Sequence, residues 1–324
     1  MENKILIFDT NIWIELLKNK NSKKRYNVDY FEELKENFSI GIFNMSIIEY
    51  LMRFKRKNNL DKIREIINYI KINNFSIGQI TSPNFNDFPK NYDYLLNLDD
   101  NDLIIEIDKL QRKRLSFKSD VISMWIMSLI EIIFINIISE PNEIGDLFVE
   151  INKQFVNVKK ELYDYFILME EKDENKKNIC KIFNDIYINV FFSVNIEKFR
   201  YSKKIYDDIC FEINNLKSNQ SISYLYKGVY STEFMNIYKK RLNRSLDKYY
   251  NNNFFKDIFY ERLECFMQNE PLQKNDVEDM LMLSMLEKNN NIIIVTKDKK
   301  MKLFMKKINK DYSEEICNKL FDIN

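Results

Sequence analysis

Asp9, Glu49, Asp279 and Asp298 stand where short apolar runs, or the helical stretches after them, carry a carboxylate. Asp9 closes the run in IFDTN, Glu49 falls within NMSIIEYLMRF, Asp279 lies early in NDVEDMLMLSML, and Asp298 follows IIIVT in IIIVTKD. The chain contains no histidine. That removes Ser-His-Asp and Cys-His nucleophile activation, His-ligated zinc and a histidine general base. Catalysis must run on carboxylates, a Lys or Tyr, a hydroxyl or a carboxylate-bound metal. Carboxylates gathered without a cation would repel one another, so their gathering would itself imply one. Each also has a plainer use. Asp9-Thr10-Asn11 caps a helix N-terminus after a strand. Glu49 sits on a solvated or half-buried helix face, Asp276 or Asp279 complements a helix dipole, and Asp298 caps the following helix.

The elements that must position these residues alternate at both ends of the chain. Lys4–Phe8, Phe38–Phe43, Phe75–Ile80 and Asn291–Val295 read as strands. Ile12–Lys18, Met45–Lys57, Leu60–Ile72, Asp276–Glu287 and Lys299–Ile308 read as helices. Strands alternating with helices predict an α/β domain with a parallel sheet. Ligands gather outside the C-terminal ends of such strands, where Asp9 and Asp298 fall. From Tyr92 to Gln268 the pattern is helical throughout, with apolar residues at i, i+3 and i+4 over Asp99–Leu115, Asp120–Ile138, Ile144–Met169, Ile179–Phe192, Lys203–Leu216, Thr232–Tyr249 and Phe254–Met267. The expected organisation is one α/β domain, residues 1–90 and 271–324, interrupted by an all-α insertion over 91–270, with helix predominant overall.

The order Asp9-Thr10-Asn11, Glu49, Asp279 in DMLMLSML and Thr296-Lys297-Asp298 resembles the pattern of PIN-domain nucleases across the two terminal segments. Leu283 and Ser284 stand where small residues are usual, and 91–270 is far longer than compact members carry. The resemblance implies a PIN-like three-layer fold and metal-dependent hydrolysis of nucleic-acid phosphodiesters. In that reading Asp9, Glu49, Asp279 and Asp298 are the catalytic metal ligands, with Asp276 an alternative to Asp279, because the two are three apart on one helix face. Mg²⁺ or Mn²⁺ suits such a set, since both are hard ions that choose oxygen ligands and keep several waters. Two ions would activate a water on one side and stabilise the leaving oxygen on the other. Thr10, Asn11 and Thr296 support the ligands from behind. RNA or another single strand is the expected substrate, with RNA favoured over DNA, and toxin, phage defence and RNA processing are the roles open to such an enzyme.

Lysines and arginines flank the candidate site. Arg53 and Arg56 follow Glu49, while Lys297, Lys299 and Lys300 surround Asp298. They either contact backbone phosphates without reading bases or form a solvated face. The overall balance of 50 Lys+Arg against 49 Asp+Glu gives +1, so any basic surface is local. The alternative reading is a non-catalytic PIN-derived interaction module whose helical insertion binds a protein or nucleic-acid partner. A haloacid-dehalogenase phosphatase ranks low because Asn11 stands where its second Asp belongs. Val121–Ser139 is long and apolar enough to prompt a membrane reading, but Glu131 near its centre favours a buried core helix. A span there would also divide Asp9 and Glu49 from Asp279 and Asp298, so no membrane association is expected. The apolar stretch ending at Asp9 is too short for a signal peptide. Cys180, Cys210, Cys265 and Cys317 lie far apart and suit free thiols in a reducing, cytoplasmic setting.

Overall fold

The computed structural model describes residues 4–18, 26–78, 88–171, 179–216, 220–226, 236, 239–240, 253–268, 270, 272, 275–283, 285, 291–307 and 314–321. It divides into two compact units. The first comprises Met1–Arg114, Tyr249–Phe255 and Asp279–Asn324, and the second Leu115–Lys248 and Lys256–Glu278.

The first unit is built on a parallel sheet of four strands, β1 (Ile5–Phe8), β2 (Ser39–Phe43), β3 (Ser76–Gly78) and β4 (Ile292–Val295), in the order β3-β2-β1-β4. Helices α1 (Thr10–Lys18) and α2 (Val28–Asn37) lead from β1 to β2. Helices α3 (Asn44–Lys55) and α4 (Leu60–Ile72) lead from β2 to β3. β1 lies between β2 and β4, with Phe8 opposite both Ile42 and Val295, so Asp9 and Thr296 are the next residues out along paired strands. Leu6, Ile7 and Phe8 are buried, as a continuous apolar run in a sheet covered on both faces requires. On one side Trp13 packs against Tyr50, Tyr69 and Phe75 with ring centroids 6.2–6.3 Å apart. Asn27 and Asn59 cap α2 and α4 by accepting the Tyr30 and Lys62 N–H groups.

Helix α5 (Asp100–Ile137) runs for 38 residues where the sequence pattern suggests two helices. The polar stretch around Ser116–Ser119 contains no glycine or proline to end it. The Ser119 and Ser123 hydroxyls instead donate to the carbonyls of Leu115 and Ser119 and so stay within the helix. The division between units falls inside this helix, after Arg114. The converse happens after α6 (Ile144–Asn152), where the single expected helix breaks and α7 (Phe155–Glu171) starts afresh. The polar run Asn152–Gln154 supplies no apolar anchor there, and Gln154 N–H turns back to the Ile151 carbonyl.

The described elements of the second unit are helical, namely the later part of α5, α6, α7, α8 (Ile179–Ser193), α9 (Lys203–Asn214) and, from Lys256 on, α10 (Asn253–Met267), with short 3-10 turns and one isolated bridge between Ile138 and Tyr201. Most of the expected Thr232–Tyr249 helix lies outside the described residues. Trp125 is fully buried against Phe259, with centroids 5.0 Å apart, and Phe134 stacks on Phe191 at 4.9 Å. The Tyr187 and Tyr226 hydroxyls share a 2.6 Å hydrogen bond, and Tyr226 donates to the Leu129 carbonyl, so these two tyrosines have their polar tips satisfied. Helix α5 is the one helix among the described residues long and apolar enough to cross a membrane. Its most apolar stretch is 83% buried within the protein, Glu131 included, which is the burial of a core helix.

The chain closes with α11 (Asp276–Leu283), β4, α12 (Lys299–Lys307) and α13 (Glu314–Phe321). The last was not anticipated from the sequence. It contacts α2 and β4, and Asn27 N–H donates to the Leu320 carbonyl.

Gly41 shows how tightly the sheet's side chains pack. A Cβ at this position would sit 2.5 Å from Ile7 Cδ1. Gly41→Ala should therefore destabilise the protein by about 1–3 kcal/mol, measured by chemical denaturation, because the buried Ile7 must shift to make room.

Candidate active site

The strand order reverses at β1: the chain moves from β1 to β2 and β3 on one side, and β4 joins on the other. The C-terminal edge between β1 and β4 is thus the switch point where parallel α/β sheets leave a crevice for ligands. Asp9 lies there. Its N–H continues the ladder by donating to the Val295 carbonyl, and its own carbonyl accepts the Trp13 N–H that starts α1.

The Asp9 side chain is buried at 5% exposure. The Thr296 hydroxyl donates to Asp9 Oδ2 at 2.7 Å, and the same Thr296 oxygen accepts the Asp298 N–H at 3.0 Å. Asp298 Oδ1 in turn accepts the Met301 N–H, capping α12. One threonine therefore joins the two carboxylate-bearing turns. Burial pushes the Asp9 carboxyl above its ordinary range. The Thr296 hydrogen bond and the Thr10 and Asn11 N–H groups oppose that rise, while the negative charge of Asp298 adds to it. An ionised carboxylate raised by burial and by a like charge is what a bound cation relieves.

The second strand contributes through α3. The Thr10 and Ser46 hydroxyls share a 2.5 Å hydrogen bond, and Ser46 is buried. Glu49 follows Ser46 by three residues, so both occupy one face of α3, the face turned to the loop after Asp9. Its Oε2 lies 3.5 Å from Arg114 Nη2, and the Arg114 side chain is only 5% exposed. Asn44, also buried, accepts a hydrogen bond from the Tyr92 hydroxyl and donates to the Pro89 carbonyl, tying the segment after β3 to this edge.

The other candidates fall as follows. Asp279 is half-buried on α11 in the first unit. Asp276, in the second unit, is buried and receives Arg262 Nη2 at 2.7 Å, a committed ion pair. Asn11 is exposed at the start of α1. Arg53 is exposed and lies over the Tyr50 ring, and Arg56 is exposed nearby. Lys297 is paired with Glu15 and sits 3.7 Å from the centre of the Phe321 ring, so its charge is already engaged. Lys299 is exposed at the first position of α12, while the Lys300 side chain lies outside the described residues.

Among the described residues no group of three or more acidic or thiol side chains gathers as a ready cation cage. The structure links Asp9, Thr296 and Asp298, joins Thr10 to Ser46, and gives Glu49 and Asp276 arginine partners. Ser46, Asn44 and Arg114 escaped the sequence reading. A polar residue within the buried NMSIIEY run was the available signal for Ser46, and nothing in RKRLSF singles out Arg114. Comparison with known proteins returns no match: no family model, curated protein or solved structure is similar to the chain.

The elevated Asp9 pKa has a definite sign for stability. Between the unfolded value of 3.8 and the raised folded value, the folded protein holds the extra proton, so stability falls as pH rises through that window. In EDTA at pH 7, Asp9→Asn should raise the melting temperature, and the gain should vanish as pH approaches 3.8. A variant less stable than wild type at pH 7 would contradict this assignment.

Proposed function

We propose that the first unit is a PIN-like, divalent-metal-dependent nuclease that hydrolyses phosphodiester bonds in RNA or another single strand. The observation that carries this reading is the buried Asp9, bound by Thr296 and within the field of Asp298, at the switch point of a parallel sheet. Mg²⁺ needs only one or two carboxylates when waters and substrate phosphates complete its shell. Asp9 and Asp298 fit that requirement and would hold the ion. Bound there, Mg²⁺ or Mn²⁺ supplies Lewis-acid polarisation and an activated water.

The chain's own groups supply order. Thr296 fixes the rotation of the Asp9 carboxylate and ties it to the turn carrying Asp298, while Ser46 holds Thr10 and so the start of α1. Lys299, exposed beside Asp298, would meet a backbone phosphate, and Arg53 and Arg56 would offer charge beyond Glu49. Glu49 and Asp279, the remaining members of the family-like set, do not gather with Asp9 and Asp298 into one cage among the described residues. A second ion would draw on them.

The non-catalytic alternative draws support from a different observation: Glu49 and Asp276 already have arginine partners. In that reading the helical second unit, with exposed Val149, Val156 and Phe211, engages a protein or nucleic-acid partner and no cleavage occurs.

Labelled single- and double-stranded RNA and DNA, incubated with Mg²⁺, Mn²⁺ or EDTA, separate the two. The nuclease reading expects metal-dependent cleavage of single-stranded RNA that falls by at least about 100-fold in Asp9→Asn and Asp298→Asn. It expects a fall of about 10–100-fold in Thr296→Val, the usual cost of losing an outer partner of a ligand. Cleavage that survives both Asp substitutions removes the proposed site.

A further inference from the structure

We infer that Arg114 is a built-in counter-cation that holds Glu49 away from metal, so that divalent ions and the Arg114 guanidinium compete for this carboxylate. The inference rests on the reading of Asp9 and Asp298 as cation ligands.

Among the arginine–carboxylate pairs of the described residues, two with a buried guanidinium differ in kind. Arg262 reaches Asp276 at 2.7 Å with both side chains buried, at 8% and 5% exposure, as a permanent pair does. Arg114 stands 3.5 Å from Glu49 Oε2, well beyond the 2.7–2.9 Å of a strong charge-assisted hydrogen bond. Its accessibility is also lopsided: Arg114 is 5% exposed but Glu49 is 31% exposed. Solvent reaches the carboxylate and not the guanidinium, so a dissolved cation can approach Glu49 while Arg114 stays buried. Glu49 shares its face of α3 with Ser46, which bonds Thr10 beside Asp9. The carboxylate that Arg114 neutralises is therefore the one on the helix face turned to the proposed metal site. Gln111 also meets the guanidinium, its Oε1 accepting from Arg114 Nη1 at 3.4 Å, and it steadies the arginine from the preceding turn of α5.

Competition predicts a reciprocal effect: what removes the internal cation tightens the external one. Binding of Mn²⁺ alone can be measured on the full chain by calorimetry and by the metal-induced rise in melting temperature. Arg114→Gln should tighten Mn²⁺ by about fivefold or more, the lower end of ordinary coupling between sites. Arg114→Met, which fills the buried space with an apolar chain, should do the same and keeps the test decisive if the glutamine variant fails to fold. Glu49→Gln should weaken Mn²⁺ binding more in either Arg114 variant than in wild type, because only there is Glu49 released. Binding that is lost in Asp9→Asn but unchanged or weakened by the Arg114 substitutions overturns the counter-cation alone. Binding that ignores Asp9→Asn overturns the metal site and this inference together.

Discussion

The hydrogen bond from Thr296 to Asp9 depends on a pairing across 287 residues of chain. Neither group is placed by its neighbours in sequence. β1 must accept β4 in parallel register, Phe8 opposite Val295, before the residue after each strand can meet the other. The candidate site is thus a consequence of strand order. With β2 and β3 on one side and β4 on the other, the edge beyond β1 is where two crossover directions part, and the groups collected there come from both ends of the chain. A slip of β4 by one residue would turn Thr296 to the opposite face and separate it from Asp9.

Charge is handled locally. The sum of +1 conceals pairs that are settled one at a time: Arg114 with Glu49, Arg262 with Asp276, Lys118 with Glu278. Burying an ion without a partner costs several kcal/mol, and each of these three buried cations has a carboxylate beside it. Asp9 is the exception that makes the site interesting. Its described support comes from a hydroxyl and two backbone N–H groups, and the nearby charge is the like charge of Asp298.

Much of the first unit was legible. Apolar runs ending in polar residues marked β1, β2 and β4, and the period of LDKIREIINYIKI gave α4 its bounds. The relation of Asp9 to Asp298 followed from the rule that strand ends collect ligands. What was hidden depended on tertiary contact. A lone Arg in a basic stretch gives no sign that it will be buried, and Asp276 and Asp279 share one helix turn while lying in different compact units. The length of α5 was missed because the helical apolar spacing lapses over Ser116–Ser119, although the Ser119 hydroxyl bonds within the helix. α13 was missed because its apolar residues, Ile316, Cys317 and Leu320, are few and spaced over little more than one turn.

The distance in sequence between β1 and β4 also sets a clock. A ribosome adds about 5–20 residues per second, so β4 follows β1 by something on the order of tens of seconds. Throughout that interval β1 can have β2 beside it but has an open edge where β4 belongs, and Asp9 has no Thr296. The carboxylate pair at the switch point comes into being only after β4 has been made. A nascent chain that has not yet reached β4 lacks the Thr296 bond that orders Asp9.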